Sequence, residues 1–273
     1  MNNLPPKPCW ICGDPANSRE HKIKKSDFVR RYGHQSFHKI GGMIHFKDSV
    51  NKNVQGPSSK ILSYAPIICS NCNDNESQPW DRAYEQFEKW LFENSRLIFQ
   101  RRFILLEEVF GSNNFSSSCP SLYKYFVKAF GCRLASAGFT VPIDLVELLS
   151  QDYFLTKLRL SFAINKSTFA MLPEDRDNFL GIGELIRVDS QSKGVMERYT
   201  WFLNIGWLRV CFFYYLEIPC GLGVPWTSVS KCLYLGEFES ASLDELIECA
   251  RKDNAPAFSH LEEIKNKGGL IIE

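Results

Sequence analysis

The stretch CSNCNDNESQPWD, residues 69–81, contains a Cys-x-x-Cys pair and leads directly into an amphipathic helical pattern. A second pair, in the stretch CWIC, occupies residues 9–12. Two cysteines at this spacing can place both thiolates on one ion, and two such pairs complete the tetrahedral four-sulfur set of structural zinc. The region up to residue 78 is rich in turn formers, so a bound metal would supply folding energy that a small core cannot. We therefore predict a structural Zn²⁺ ion bound by Cys9, Cys12, Cys69 and Cys72.

Between the two pairs, the dipeptide Glu20-His21 lies in the basic stretch SREHKIKKS, and Asn73 directly follows the second pair. The order Cys-x-x-Cys, Glu-His, Cys-x-x-Cys-Asn resembles the zinc-knuckle HNH endonucleases, a branch of the His-metal finger nucleases. The resemblance covers residues 9–91, roughly a third of the chain. It implies a treble-clef, or ββα-metal, fold and the hydrolysis of phosphodiester bonds in nucleic acid.

The resemblance also implies a role for each residue of the motif. His21 would deprotonate a water molecule for attack on phosphorus, and the ordinary pKa of histidine suits a general base. Glu20 and Asn73 would bind a single catalytic Mg²⁺ or Mn²⁺ ion through oxygen atoms, the ligands that these cations prefer. Asp81 is a further candidate ligand for that ion, because Pro79 could delay the start of the helix and bring Asp81 towards the site.

The sequence departs from the family in the long segment between the two cysteine pairs. The asparagine that orients the base usually lies shortly before the second pair, and it is missing here. Three residues remain alternatives for this role: Asn51, Asn53 and Ser63. Three further histidines could also enter the site: His34, His38 and His45.

The charge distribution gives only local support for nucleic-acid binding. The whole chain has a net charge of +1, so long-range attraction to phosphate is not expected from its overall charge. A basic stretch nevertheless surrounds the Glu-His dipeptide, and we predict phosphate contacts from its members. They are Lys22, Lys24, Lys25, Arg30 and Arg31. The predicted partner is therefore nucleic acid, in particular double-stranded DNA.

The predicted fold class is α+β, in three parts. Residues 1–95 form the nuclease-like domain with its following helix, and residues 96–118 form a helical connector that ends in the linker GSNNFSSS. Residues 119–273 form a second domain with helices at 120–136, 142–149 and 243–251 and an antiparallel sheet. The sheet has strand candidates at 158–164, 182–188, 198–203, 208–216 and 231–235.

The predicted sheet region is rich in aromatic residues: Trp201, Trp207, Phe212, Phe213, Tyr214, Tyr215 and Trp226. They could form a stacking platform for bases, but their alternation within strands favours a sheet core. The second domain would then serve target recognition, dimerisation or contact with a partner protein.

The ten cysteines are expected to be thiols or metal ligands, since no secretion signal is visible. No apolar run is long enough to span a membrane, and we expect a cytoplasmic protein.

A non-catalytic zinc module that binds nucleic acid or protein is the main alternative function. It would use the same cysteines and lysines and would leave His21 without a role. In that case Glu20 would be a solvated partner of Lys24, and Asn73 would cap the following helix. The missing asparagine favours this alternative. A structural subunit of a larger assembly is a third possibility.

Overall fold

The protein is described by a computed structural model that covers residues 7–40, 44–47, 50–151, 156–169, 180–190, 195–217, 226–238 and 271–272. The helices are α1 Lys25–Tyr32, α2 Gln78–Glu93, α3 Ser95–Arg101, α4 Leu106–Phe110, α5 Phe115–Ser136, α6 Ile143–Ser150 and α7 Lys166–Phe169. The strands are β1 Ile44–Lys47, β2 Val50–Asn53, β3 Phe103–Leu105, β4 Leu158–Asn165, β5 Leu180–Ile182, β6 Ile186–Asp189, β7 Met196–Ile205, β8 Leu208–Tyr215, β9 Cys232–Phe238 and β10 Ile271–Ile272. The predicted final helix, residues 243–251, lies outside the described residues.

A mixed sheet of seven strands forms one side of the core, in the order β3-β9-β4-β8-β7-β5, with β6 also paired to β7. A smaller sheet has the order β10-β1-β2. Buried and half-buried residues alternate along β4 and β8, as the period-2 sequence pattern predicts. The aromatic residues predicted for the sheet core are buried, apart from the half-buried Phe213.

The predicted antiparallel sheet was wrong in one respect, because β4 and β9 run parallel. Phe162 is paired with Leu235 and Asn165 with Phe238 in this parallel ladder. The alternation of apolar residues has the same period in parallel and antiparallel strands, so it does not encode strand direction. The long connection between β4 and β9 permits the crossover that a parallel pair requires.

The helical connector also differs from the prediction. Arg102 adopts a left-handed conformation, with φ of 62°, and redirects the chain from α3 into β3, which pairs with β9. Helix α5 begins at Phe115, so the predicted linker 111–118 reduces to a short turn before that helix. The serine-rich stretch predicts a linker, but here the serines are compatible with a helix. The Ser117 and Ser121 hydroxyls donate to the backbone carbonyls of Asn114 and Ser117.

Helix α5 packs against elements of both predicted domains. On one side the Phe126 ring lies 5.8 Å from that of Phe162 in β4, measured between centroids. On the other side the Tyr125 ring stacks on Tyr84 of α2 at 3.9 Å. Buried apolar residues from Ile23 to Leu235 consequently form one continuous core.

Gly131 of α5 makes room for Trp10, which lies between the first two cysteines. A Cβ atom at Gly131 would lie 2.4 Å from the nearest Trp10 ring carbon. The Trp10 indole nitrogen donates to Cys132 Sγ at 3.3 Å, so the ring also has a polar contact with α5. The glycine within the predicted helix is therefore explained by close packing against the cysteine-rich loop.

We expect Gly131→Ala to lower the free energy of unfolding by about 1 kcal/mol, because overpacking outweighs the gain in helix propensity. In a Trp10→Ala background the same substitution should instead stabilise the protein by about 1 kcal/mol, since the clash is gone. Urea unfolding of the four proteins measures this double-mutant cycle. The same sign of effect in both backgrounds would contradict the proposed contact.

Candidate metal centre and active site

The four predicted cysteine ligands converge in the structure. The sulfur atoms of Cys9, Cys12, Cys69 and Cys72 all lie within 4.8 Å of one another, and Cys12 Sγ is 3.6 Å from Cys69 Sγ. In a tetrahedron with metal–sulfur bonds of about 2.3 Å, neighbouring sulfurs are about 3.8 Å apart. The cluster is therefore close enough to hold a metal ion and is compatible with structural zinc.

Backbone hydrogen bonds shape the two loops around this cluster. Gly13 N donates to Cys9 O at 2.9 Å, and Gly13 has a positive φ of 84°, which glycine adopts without strain. In the second loop, the Cys72 amide donates to Cys69 Sγ at 3.4 Å. Burial opposes ionisation of Cys69, but the Cys72 amide and the neighbouring thiols outweigh it and lower the pKa of Cys69. This favours the thiolate form that binds a metal.

The Glu-His dipeptide lies on an extended segment that runs antiparallel to the residues before the second cysteine pair. Bridges pair Ser18 with Ile68 and His21 with Ser63. The Tyr64 amide also donates to Glu20 O at 2.9 Å. Because this ladder ends beside Cys69, the metal-binding loop and the dipeptide are positioned by the same backbone contacts.

His21 has one ring nitrogen without a partner in the part of the chain that the structure describes. Its imidazole is half-buried and hydrogen bonds to the backbone carbonyl of Pro57, whereas Nε2 is buried without a hydrogen-bond partner among the described residues. A carbonyl accepts only from N–H, and this contact is therefore compatible with a neutral ring that is protonated on Nδ1. Desolvation, followed by the charges of Lys25 and Lys24, lowers the pKa of His21. The neutral form is thereby favoured.

Pro57 thus provides the contact that orients the candidate base, and no sequence motif predicts it. Of the three predicted alternatives, Ser63 pairs with His21 through the backbone, Asn53 is exposed, and the Asn51 side chain lies outside the described residues. A backbone carbonyl can come from any residue type, so no motif marks it.

Asn73 is anchored next to the dipeptide strand. Its amide nitrogen donates to Ser18 Oγ at 3.0 Å, and its amide oxygen is buried without a hydrogen-bond partner among the described residues. Its backbone carbonyl accepts from Ser77 Oγ at 2.6 Å. The side chain therefore does not cap α2, and its oxygen is a candidate ligand for a hard cation.

Glu20 and Asp81 are brought together by a buried lysine. Lys128 Nζ of α5 lies 3.2 Å from Glu20 Oε1 and 3.6 Å from Asp81 Oδ1, and it donates to Ser77 Oγ at 3.0 Å. Asp81 is also paired with Lys24 at 2.7 Å. Burial alone would lower the pKa of Lys128, but Glu20 and Asp81 outweigh it and raise that pKa. Burial also raises the pKa of Glu20 more than the charge of Lys128 lowers it, so the 3.2 Å contact rather than the pKa identifies this ion pair.

This cluster does not fit the predicted catalytic ion as the resemblance implies. Asn73 Oδ1 is a suitable oxygen, but the Glu20 carboxylate already has a cation beside it. In the part of the chain that the structure describes, the four cysteines are the one group of three or more Cys, His, Asp and Glu side chains that converges closely enough for a metal.

Ion pairs engage three of the five basic residues predicted to contact phosphate. Arg31 is 2% exposed and lies 2.8 Å from the buried Glu88, to which Arg30 also pairs. Lys24 is engaged by Asp81. Among the five predicted contacts, Lys25 is exposed and Lys22 is half-buried.

The structure describes the side chains of two of the other three predicted histidines. His34 and His38 are exposed, and the side chain of His45 lies outside the described residues.

Comparison with known protein families, curated proteins and solved structures finds no match to this chain. Within the described residues, none of the helices is long and apolar enough to cross a membrane.

We expect the purified protein to contain one tightly bound metal ion per chain, measured by elemental mass spectrometry. Cys69→Ser should remove most of that metal and lower the melting temperature, because three thiolates bind much more weakly than four. Cys232→Ser is the matched control, since this half-buried thiol lies outside the cluster. Equal metal content in all three proteins would contradict the assignment.

Proposed function

We propose that Cys9, Cys12, Cys69 and Cys72 hold a structural zinc ion. An all-thiolate, closed tetrahedral set is typical of zinc sites that stabilise loop-rich folds and carry out no reaction themselves. The convergence of the four sulfurs within 4.8 Å supports this assignment. On this proposal the two loops and the following helix α2 form a treble-clef module of the HNH type.

We further propose that the protein is an endonuclease that hydrolyses phosphodiester bonds, with duplex DNA as substrate. The observation that carries this proposal is the geometry of His21, whose ring hydrogen bonds to the Pro57 carbonyl while Nε2 is buried without a hydrogen-bond partner among the described residues. A buried imidazole with a fixed tautomer and a lowered pKa has the properties of a general base near neutral pH. The position of this base in an HNH-like motif makes nucleic acid the substrate class.

In the proposed reaction, His21 Nε2 accepts a proton from a water molecule that attacks phosphorus in line with the leaving oxygen. The hydrogen bond from Nδ1 to the Pro57 carbonyl keeps the ring in one orientation and stabilises the imidazolium that forms. Lys22 and Lys25 would contact phosphates on either side of the site. A divalent cation would supply charge stabilisation at the phosphate, with Asn73 Oδ1, which is buried without a hydrogen-bond partner among the described residues, as a candidate ligand.

Plasmid cleavage by wild type and His21→Ala tests this proposal. We expect the wild type to cleave in Mg²⁺ or Mn²⁺ and the variant to lose at least about 100-fold in rate, the usual contribution of a general base. His34→Ala is the matched control, because this exposed histidine should be dispensable. Equal cleavage by wild type and His21→Ala would overturn the assignment of the base.

The pH dependence gives a second prediction. Because the pKa of His21 is lowered, the acid limb of kcat/KM should have its midpoint below 6.5, the ordinary value for histidine. Lys25→Gln removes a charge that lowers this pKa, so the limb should move to higher pH. The measurement is a pH–rate profile at constant ionic strength. A midpoint that does not respond to Lys25→Gln would show that another group limits the rate.

A non-catalytic zinc module remains the second candidate, and the pairing of Glu20 with Lys128 favours it. It predicts that wild type and His21→Ala bind duplex DNA or a protein equally and that neither cleaves. The sheet region would then provide the binding or dimerisation surface. Fluorescence anisotropy with labelled duplex, combined with the cleavage assay, separates the two functions.

A further inference from the structure

We propose that the Lys128 ammonium is the permanent cation of the Glu20–Asp81 carboxylate pair, so that Glu20 is not a ligand of a divalent ion. This inference concerns the ion implied by the proposed nuclease function and in that respect rests on it. It removes Glu20 from the predicted ligands of the catalytic ion, because the Glu20 carboxylate is paired with a lysine of α5 instead.

The Lys128 ammonium is surrounded by oxygen atoms from three residues. Its Nζ lies 3.2 Å from Glu20 Oε1, 3.6 Å from Asp81 Oδ1 and 3.0 Å from Ser77 Oγ. An ammonium group has three donors, and two of these oxygens lie within hydrogen-bond distance of it. Asp81 Oδ1 is in ion-pair range and has no hydrogen-bond partner among the described residues. The hydroxyl of Ser77 donates onward to the Asn73 carbonyl, so Lys128 also supports the second candidate ligand.

Burial makes this cation difficult to displace. The Lys128 side chain is 1% exposed, in a helix whose neighbouring side chains form the core between α2 and the sheet. A buried charge that loses its partners is strongly unfavourable. The lysine and both carboxylates should therefore stay paired when Mg²⁺ or Mn²⁺ is present.

The local charge balance leads to the same conclusion. The carboxylates of Glu20 and Asp81 face the ammonium groups of Lys128 and Lys24, and Lys24 also lies 3.8 Å from the Glu85 carboxylate. A divalent ion needs uncompensated negative charge, and at Glu20 it would also meet repulsion from an ammonium in direct contact with the same carboxylate. Lys128 is accordingly a positioning residue, which fixes the strand of Glu20 and thereby its neighbour His21.

Calorimetric titration of the zinc-loaded full-length protein with Mn²⁺ tests the inference, and it uses wild type, Glu20→Gln, Lys128→Met and the double variant. Glu20→Gln should bind Mn²⁺ as the wild type does. Lys128→Met leaves Glu20 without its cation, while Asp81 keeps Lys24, and should raise Mn²⁺ affinity at least about tenfold. Glu20→Gln in that background should abolish the gain. Zinc content and circular dichroism confirm that each variant is folded.

A loss of Mn²⁺ affinity of about tenfold or more in Glu20→Gln alone would show that Glu20 is a metal ligand and would overturn the inference. A folded Lys128→Met protein that binds Mn²⁺ no better than wild type would also overturn it. If Lys128→Met does not retain zinc, the comparison of wild type with Glu20→Gln decides by itself. Because the readout is Mn²⁺ binding, the result is independent of whether His21→Ala cleaves plasmid.

Discussion

The convergence of the four cysteine sulfurs is the constraint on which the N-terminal region depends. The two loops that carry Cys9 and Cys69 are separated by a long segment, yet their sulfurs and those of Cys12 and Cys72 lie within 4.8 Å. Four thiols without a metal attract one another only weakly at this distance. A shared ion would bind both loops and offset the entropy cost of closing the segment between them. The extended pair that carries Glu20 and His21 lies directly beside this closure.

A second constraint comes from α5, which belongs to the part of the chain beyond the cysteine pairs. Gly131 admits the Trp10 ring, and Lys128 reaches the Glu20 carboxylate. The first contact depends on the absence of a side chain, and the second on a charge that is buried only because its partners surround it. The candidate site is therefore not confined to the N-terminal third of the chain, since its geometry depends on the packing of α5 against the sheet.

The chemistry of the site separates into two environments. At Cys69, the hydrogen bond from the Cys72 amide favours the thiolate, whereas burial raises the pKa of Cys12 and of Cys72. Four thiolates suit a soft and closed metal site. At His21, burial and the neighbouring lysines favour a neutral imidazole.

The sequence by itself determined the ligand spacing of the four cysteines, the Glu-His dipeptide, helix α2 and the alternation of β4 and β8, because local periodicity and short motifs encode these. Only the tertiary structure decided the parallel pairing of β4 with β9, the carbonyl of Pro57 as partner of His21, and Lys128 as partner of Glu20. Such contacts join residues far apart in the chain. Strand direction, a backbone acceptor and a distant counter-ion leave no local pattern, so their identity depends on how the whole core packs.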